Sequence, residues 1–412
     1  MVYMNKTEKS LFLLSSLSVY KGILNRTVPK AFYNLLLAME KPPVEFLNAY
    51  GEFFSLLSRR GYSDSFAYCM TEAALFDENY FTEAAAAGKV ALLPQNVIDA
   101  VIRDCKAIDF VSSLSGEEIL RDYKYYDEIA EIAGNLPRWE KGSPAEAFMG
   151  YESGISRLAD FYRQNGCGMF ARYRAFIWRD GDIQPVVHPD SISLSSFVGY
   201  ERQRNQVVEN TRSFVENKTC NNCLLYGDKG TGKSSTVKAI ANDFRDKGLR
   251  IVEMPKERLV DFPILVDKIA SLPMKFIIFI DDLSFQKQDQ SYTSLKALLE
   301  GGLASRPENT LIYATSNRRH LIKESFADRD TDDVNRRDNM EETLSLSDRF
   351  GLSVCFSVPK KDDYLEIVFE LARKNNVNMP KEELELKAEK FALARGGRSP
   401  RCAKQFVESL FC

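Results

Sequence analysis

Gly227-Asp228-Lys229-Gly230-Thr231-Gly232-Lys233-Ser234 follows directly on the apolar run Leu224-Leu225-Tyr226 and fits the pattern G-x-x-x-x-G-K-[ST] at every position. A strand that turns through glycines into a helix aims several backbone N–H groups and the positive end of the helix dipole at one point, where an anion can sit. Lys233 adds a point charge suited to β and γ phosphates, and the Ser234 hydroxyl is a hard oxygen ligand of the kind Mg²⁺ takes. Ser235, Thr236, Val237, Ala239, Ile240 and Ala241 then continue as a small-residue helix that stops near Lys247-Gly248. An accidental glycine-rich turn has no need of this strand and helix. The stretch therefore predicts a nucleoside-triphosphate site set in an α/β layer.

Working outward, the sequence from Phe197 onward alternates between strand and helix patterns, the signature of a parallel sheet covered by helices. Strands are expected at 223–226, 250–254, 276–280, 311–315 and 354–357. Phe276-Ile277-Ile278-Phe279-Ile280 reads as a strand buried on both faces and ends in Asp281-Asp282, at the strand end where α/β sheets place their chemistry. In that position Asp281 would hold Mg²⁺ through water and Asp282 would polarise an attacking water. A second apolar strand, Leu311-Ile312-Tyr313-Ala314, leads into Thr315-Ser316-Asn317, which places Asn317 to orient that water against the γ phosphate. Three helix-period segments, 361–375, 381–394 and 400–411, read as a small helical lid.

Residues 1–135 contain helix-period stretches at 31–40, 43–58, 64–76 and 126–133 and no chemical motif. Aromatics at helical spacing, among them Phe32, Phe46, Tyr50, Phe53 and Phe66, are expected to form a core. Leu136-Pro137-Arg138-Trp139-Glu140-Lys141-Gly142-Ser143-Pro144 reads as a linker. Residues 172–187 alternate around Asp180-Gly181, a hairpin signal, and are expected to form a small β element between the helical parts. The expected organisation is a helical N-terminal domain at 1–135, a linker with the hairpin at 136–195, a nucleotide-binding core at 196–358 and a lid at 359–412.

Composition narrows the field further. The chain has 412 residues, 44% of them hydrophobic, which is ample for buried cores. With 55 Lys and Arg against 58 Asp and Glu, the net charge of -3 supplies no global argument for a nucleic-acid or membrane partner. No apolar run reaches the roughly 18 residues of a membrane span. Residues 6–20 read as an amphipathic first helix, because Glu8 and interspersed serines interrupt the apolar core that a signal peptide needs. Cys220 and Cys223 form a CxxC pair, but His188 and His320 stand in no metal-ligand spacing, so the thiols are read as those of a reducing, cytoplasmic compartment.

From about Ser196 to the C-terminus the chain resembles the AAA+ ATPases. Gly227 to Ser234 corresponds to Walker A, Phe276 to Asp282 to Walker B, and Asn317 to sensor 1. Leu346-Ser347-Asp348-Arg349-Phe350-Gly351 is similar to the arginine-finger segment, and Gly396-Gly397-Arg398-Ser399-Pro400-Arg401 to sensor 2, with Arg401 preferred over Arg398. Phe197-Val198-Gly199-Tyr200 resembles the segment that covers the adenine, which assigns Val198, Gly199 and Tyr200 to the base. A narrower resemblance is to the bacterial family called domain of unknown function 815, through Gly199-Tyr200-Glu201, Gly232-Lys233-Ser234-Ser235 and Leu344-Ser345-Leu346-Ser347-Asp348-Arg349-Phe350-Gly351.

The resemblance implies a three-layer α/β core with a parallel five-stranded sheet, a helical lid, ATP or ADP with Mg²⁺ as ligands, and a homo-oligomer in which Arg349 reaches a neighbour's nucleotide. It also implies ATP hydrolysis coupled to remodelling or loading of a protein or nucleic-acid partner, selected by the N-terminal helical half. Many members have Glu where this chain has Asp282, one methylene shorter. A nucleotide-dependent switch with little hydrolysis is therefore the competing reading, and a small-molecule kinase a more distant one. The charge-dense residues between Arg318 and Asp348 are expected to be a solvated, nucleotide-responsive loop.

Overall fold

The computed structural model describes residues 4–148, 155–285, 292, 294–296, 299, 307–317 and 349–411. It divides into two compact units, Met1–Arg172 and Tyr173–Cys412. No helix among the described residues is long and apolar enough to cross a membrane.

The first unit is helical. Its expected aromatic stripe is the core: Phe32, Phe46, Tyr50, Phe53 and Phe66 are fully buried. The stretch expected to be a linker is instead part of this core. Trp139 is 1% exposed and lies edge-on to Phe53, with ring centroids 4.9 Å apart. Its indole N–H donates to the Leu114 carbonyl at 3.1 Å. The backbone on either side is fastened as well: Phe66 N–H donates to Glu140 O at 3.0 Å, and Glu140 N–H to Ser63 O at 2.9 Å. A large indole with one donor, supplied with an aromatic cage and one acceptor, is more stable inside than in water. The unit accordingly runs to Arg172, well beyond 135.

One buried charge organises this unit's N-terminal turn. Asp104, on the helix Gln95–Ser112, is fully buried. It accepts the backbone N–H groups of Ser18, Val19 and Tyr20 at 2.9, 2.8 and 3.1 Å and the Arg103 guanidinium at 3.0 Å. Three consecutive amides aimed at one oxygen give a buried carboxylate the compensation it needs.

The second unit is built on a sheet. Its strands are β1 (Ala175–Arg179), β2 (Asp182–Pro185), β3 (Cys223–Gly227), β4 (Leu249–Glu253), β5 (Lys275–Ile280), β6 (Thr310–Ser316) and β7 (Leu352–Phe356). Among the described residues they form one seven-stranded sheet in the order β2-β1-β4-β5-β6-β3-β7. Only β1 and β2 pair antiparallel. The five expected strands are all present, but the expectation of a five-stranded sheet is corrected. The hairpin does not stand apart. Phe176, Trp178 and Ile183 make one apolar face that must be covered, and β1 docks along β4 with Phe176 opposite Val252. Phe176 and Trp178 end 1% exposed and Ile183 4%, with the Trp178 indole donating to Asp261 Oδ2 at 2.9 Å.

β5 and β6 lie in the middle of the sheet, and nearly every residue in them is buried. Alternate side chains explain this. Ile277, Phe279, Leu311 and Tyr313 pack with Val207 and Phe214 of the helix Glu201–Val215 and with Val237 and Ile240 of the helix Lys233–Asp243. The intervening Phe276, Ile278 and Ile280 are equally buried on the opposite face. Tyr313 keeps its hydroxyl satisfied through Thr211 at 2.7 Å and Asn210 at 3.1 Å. The three C-terminal helices, Lys361–Lys374, Lys381–Ala394 and Pro400–Glu408, share a separate apolar cluster that includes Tyr364, Val368, Ala388 and Phe406.

Replacing Asp104 by Ala removes the shared acceptor of three amides, that of Tyr20 buried, and should destabilise the first unit by about 2–4 kcal/mol, with Asp104→Asn milder because one acceptor oxygen remains. Equilibrium urea unfolding followed by tryptophan fluorescence, to which Trp139 reports, checks this.

Candidate functional site

The glycine-rich stretch makes the turn for which its residues are suited. Gly227 has φ +128°, and a Cβ there would lie 2.3 Å from the Phe356 carbonyl oxygen, so no other residue fits where the loop leaves β3 beside the end of β7. Gly232 has φ +92° and forms the left-handed N-cap of the helix Lys233–Asp243. Thr231 turns inward, 3% exposed, and its hydroxyl donates to Asp228 O at 2.8 Å. The N-terminus of an 11-residue helix thus opens under a loop of backbone amides.

At the loop mouth is a cleft of about 190 Å³. Lys229, Gly230, Gly232, Lys233, Ser234 and Ser235 line it from the loop, Asp281 and Asp282 from the end of β5, Asn317 from just past β6, and Arg401 from the last helix. Residues from sequence positions 229 to 401 therefore meet at one point. Gly227 and Asp228 form the base of the loop.

Asp281 joins three elements through one oxygen. Its Oδ1 accepts the Ser234 hydroxyl at 2.6 Å, the Asp282 backbone N–H at 3.1 Å and the Thr315 hydroxyl. Thr315 Oγ1 in turn accepts from Asp282 N at 3.0 Å. Asp282 sits at φ +50°, a conformation uncommon for any residue but glycine and most tolerated by Asn and Asp. That twist presents its carboxylate to the cleft, where Asn317 Nδ2 donates to Oδ1 at 2.6 Å. Ser234 and Asp281 thus bring two hard oxygen ligands into contact, a donor set that fits Mg²⁺ with waters completing its shell.

The Lys233 ammonium is 7% exposed as a residue and donates to Gly227 O at 2.8 Å, Asp228 O at 2.7 Å and Asn317 Oδ1 at 3.3 Å. Burial lowers its pKa below that of an ordinary lysine. The charges of Asp228, Asp281 and Asp282 oppose the fall, while Arg401 adds to it.

Val198, Gly199 and Tyr200 line a second cleft, of about 650 Å³, together with Ile367 and Lys374 of the first C-terminal helix. Gly199 has φ +74°, with Ile367 Cδ1 only 3.1 Å from where a Cβ would be. Tyr200 stacks on Phe356 at 5.4 Å and its hydroxyl donates to Ser357 O at 2.6 Å. Burial, with help from Asp228 and Asp363, pushes the phenol up to about 12.

Two arginines of the C-terminal segment have different placements. Arg398 is held by Glu389, with Nε–Oε1 at 2.9 Å and Nη2–Oε2 at 2.6 Å. Arg401 faces the phosphate cleft, and its backbone N–H donates to Gly230 O at 3.1 Å. Arg349 is not brought to the cleft. It precedes β7, whose first residue Leu352 pairs with Cys223 at the start of β3, whereas the phosphate loop leaves from Gly227, paired with Phe356. At about 3.3 Å per residue, four residues put the two ends about 13 Å apart, with Arg349 beyond the far one. Leu346, Ser347, Asp348 and the charge-dense stretch before them lie outside the described residues.

Thr315 is the site residue that sequence reading passed over. Its signal was available, as a hydroxyl at the end of a buried strand beside Asn317, but nothing in one strand's pattern says that its hydroxyl will meet a carboxylate from another.

A parallel sheet in the order β4-β5-β6-β3-β7, with a phosphate loop after β3 and carboxylates after β5, defines a P-loop protein of the AAA+ type. The model of the family described as protein of unknown function DUF815 matches residues 171–412, more than half of the chain, and the chain belongs to that family. A protein of Thermoplasma acidophilum described as ORC1-type DNA replication protein 1 is 30% identical over 107 residues. That match covers 26% of this chain and 28% of the relative. Among solved structures, the Thermotoga maritima RuvB Holliday junction branch migration motor is similar with a TM-score of 0.37 and 16% identity, over 52% of this chain and 63% of that one. The FIGL-1 AAA domain in complex with ADP has a TM-score of 0.36 and 18% identity, over 54% and 73%.

Thr315→Val removes the acceptor for Asp282 N–H and a donor to Asp281 at constant shape. It should destabilise the second unit by about 1–3 kcal/mol in urea unfolding, since the Asp281 carboxylate loses one of its three donors.

Proposed function

We propose that the chain binds ATP with Mg²⁺ and hydrolyses it, as an oligomer that couples nucleotide state to the remodelling or loading of a macromolecular partner. The observation that carries this reading is the convergence of Lys233, Ser234, Asp281, Asp282, Asn317 and Arg401 on one cleft at the mouth of the phosphate loop. No simpler anion site has use for two carboxylates beside the lysine.

In this reading the amides of residues 228–234 hold the β phosphate at the helix N-terminus. Lys233 exchanges its bonds to Gly227 O and Asp228 O for the β and γ oxygens, whose charge compensates its burial. Ser234 and, through water, Asp281 would hold Mg²⁺, which would supply positive charge against the triphosphate. Asp282 accepts a proton from the attacking water, and Asn317, bonded to Asp282 Oδ1, fixes the carboxylate's direction and the water's. Arg401 neutralises the γ phosphate from the C-terminal helices, which act as a lid. Val198, Gly199 and Tyr200 border the cleft assigned to the base.

Arg349, at the opposite end of β7 from the loop, supports a site completed by the neighbouring subunit. An arginine supplied in trans stabilises the transition-state charge and makes assembly a condition of turnover. The N-terminal unit, without chemical motifs and outside the family match, is assigned to partner selection.

The second reading, a switch that binds ATP and turns over slowly, is favoured by one observation. Asp282 is a methylene shorter than Glu, and one of its oxygens is already engaged by Asn317. Phosphate release separates the two. As a hydrolase, Asp282→Asn should retain ATP and lose about 10²–10⁴-fold in turnover. If wild type and Asp282→Asn release phosphate at the same slow rate, the switch reading holds. Arg349→Ala should bind ATP normally yet lose about 10³-fold or more in turnover. Turnover at the wild-type rate would refute the trans arginine.

A further inference from the structure

Asp228 occupies the first variable position of the phosphate loop, but its side chain is not among those lining the phosphate cleft. Its carboxylate Oδ2 instead accepts the backbone N–H of Val358 at 2.9 Å. Val358 lies in the short connection, residues 357–360, between the end of β7 and the helix Lys361–Lys374 that begins the C-terminal bundle. We propose that Asp228 is a positioning residue that couples occupancy of the phosphate loop to the placement of the C-terminal helices. The proposal rests on the nucleotide reading above and adds to it how the site drives the lid.

Four hydrogen bonds on this one residue carry the argument, two on each side. Toward the connection, Asp228 N–H donates to Phe356 O at 3.1 Å, and Oδ2 takes the Val358 amide. Toward the loop, Asp228 O accepts the Lys233 ammonium at 2.7 Å and the Thr231 hydroxyl at 2.8 Å. The ammonium is the group that phosphates draw away. When it turns to them, the Gly227 and Asp228 carbonyls lose a charged donor, and the first turn of the loop must readjust.

That readjustment cannot be absorbed locally. The space at Gly227 is so tight that a single added carbon would lie 2.3 Å from Phe356 O, so the start of the loop and the end of β7 move together. From the other side, Tyr200 holds Ser357 O at 2.6 Å. At the loop mouth, Gly230 O accepts the Arg401 amide at 3.1 Å, and a Cβ on Gly230 would lie 3.1 Å from Ser399 Oγ and 3.2 Å from Arg401 Cβ. The loop thus grips the C-terminal segment at two points, its connection and its last helix. One attachment would leave a swinging arm, whereas two convert a change in loop shape into a change in angle.

Hydrogen exchange on the full chain tests this, read at Val358 and over 361–374, with and without Mg²⁺ and the non-hydrolysable analogue AMP-PNP. In nucleotide-free protein, Asp228→Ala should speed exchange at Val358 about tenfold or more, the loss of a hydrogen bond to a charged acceptor. Asp228→Asn keeps an acceptor oxygen and should restore most of the protection. With AMP-PNP, wild type and Asp228→Asn should change protection over 361–374, and Asp228→Ala should not. The KM of Asp228→Ala for ATP should rise by a larger factor than its kcat falls.

An Asp228→Ala chain that exchanges at Val358 like wild type, or whose C-terminal helices answer AMP-PNP as wild type's do, overturns the proposal. Failure of wild type to bind nucleotide would instead sink the functional reading and the coupling with it. That outcome is told apart by a direct titration, while the nucleotide-free comparison still judges the Asp228–Val358 bond.

Discussion

The geometry of the candidate site depends on the carboxylate of Asp281. A charged oxygen at the tip of a buried strand must be compensated, and Ser234, Asp282 and Thr315 do so from the loop helix, the strand's own continuation and the neighbouring strand. The same contacts fix the distance between the phosphate loop and β5, turn Asp282 into its left-handed conformation and aim it at Asn317. A sheet with β5 and β6 buried on both faces supplies the rigid base without which these short polar side chains would wander.

Much of this was legible in the sequence because local rules and the fold agree. The loop's glycines stand where φ is positive, the apolar run Phe276 to Ile280 is central, and Asp281, Asp282 and Asn317 fall at adjacent parallel strand ends. The departures share a cause. Leu136 to Pro144 carries linker-like prolines and charges, but Trp139 needs a cage that only the distant Phe53 and Leu114 complete. The hairpin at Asp180-Gly181 was evident, whereas its docking on β4 depended on which face of β1 lacked cover. Thr315 and Asp228 act through partners on other elements, and no single-chain period reports a hydroxyl or carboxylate committed across the sheet.

Two placements separate what the cleft does alone from what it needs. Arg401 lines the cleft, while Arg398, three residues away, is paired with Glu389. Arg349 is directed elsewhere, by the register that sets Leu352 against Cys223. On the proposed reading, a chain with Arg401 at its own cleft and Arg349 at the far end of the sheet is suited to sensing whether a neighbour is present. The helical first unit has its own core and its own buried charge at Asp104, as a module must if it is to recognise a partner independently of nucleotide chemistry.

The central claim is that the phosphate loop holds a magnesium nucleotide. Isothermal titration of ATP into the full chain, with and without Mg²⁺, tests it directly in wild type and Lys233→Ala. The account predicts one nucleotide per chain, tighter with Mg²⁺, and a loss of about tenfold or more in affinity when the lysine is removed. Absence of binding to wild type, or equal affinity in Lys233→Ala, would contradict it.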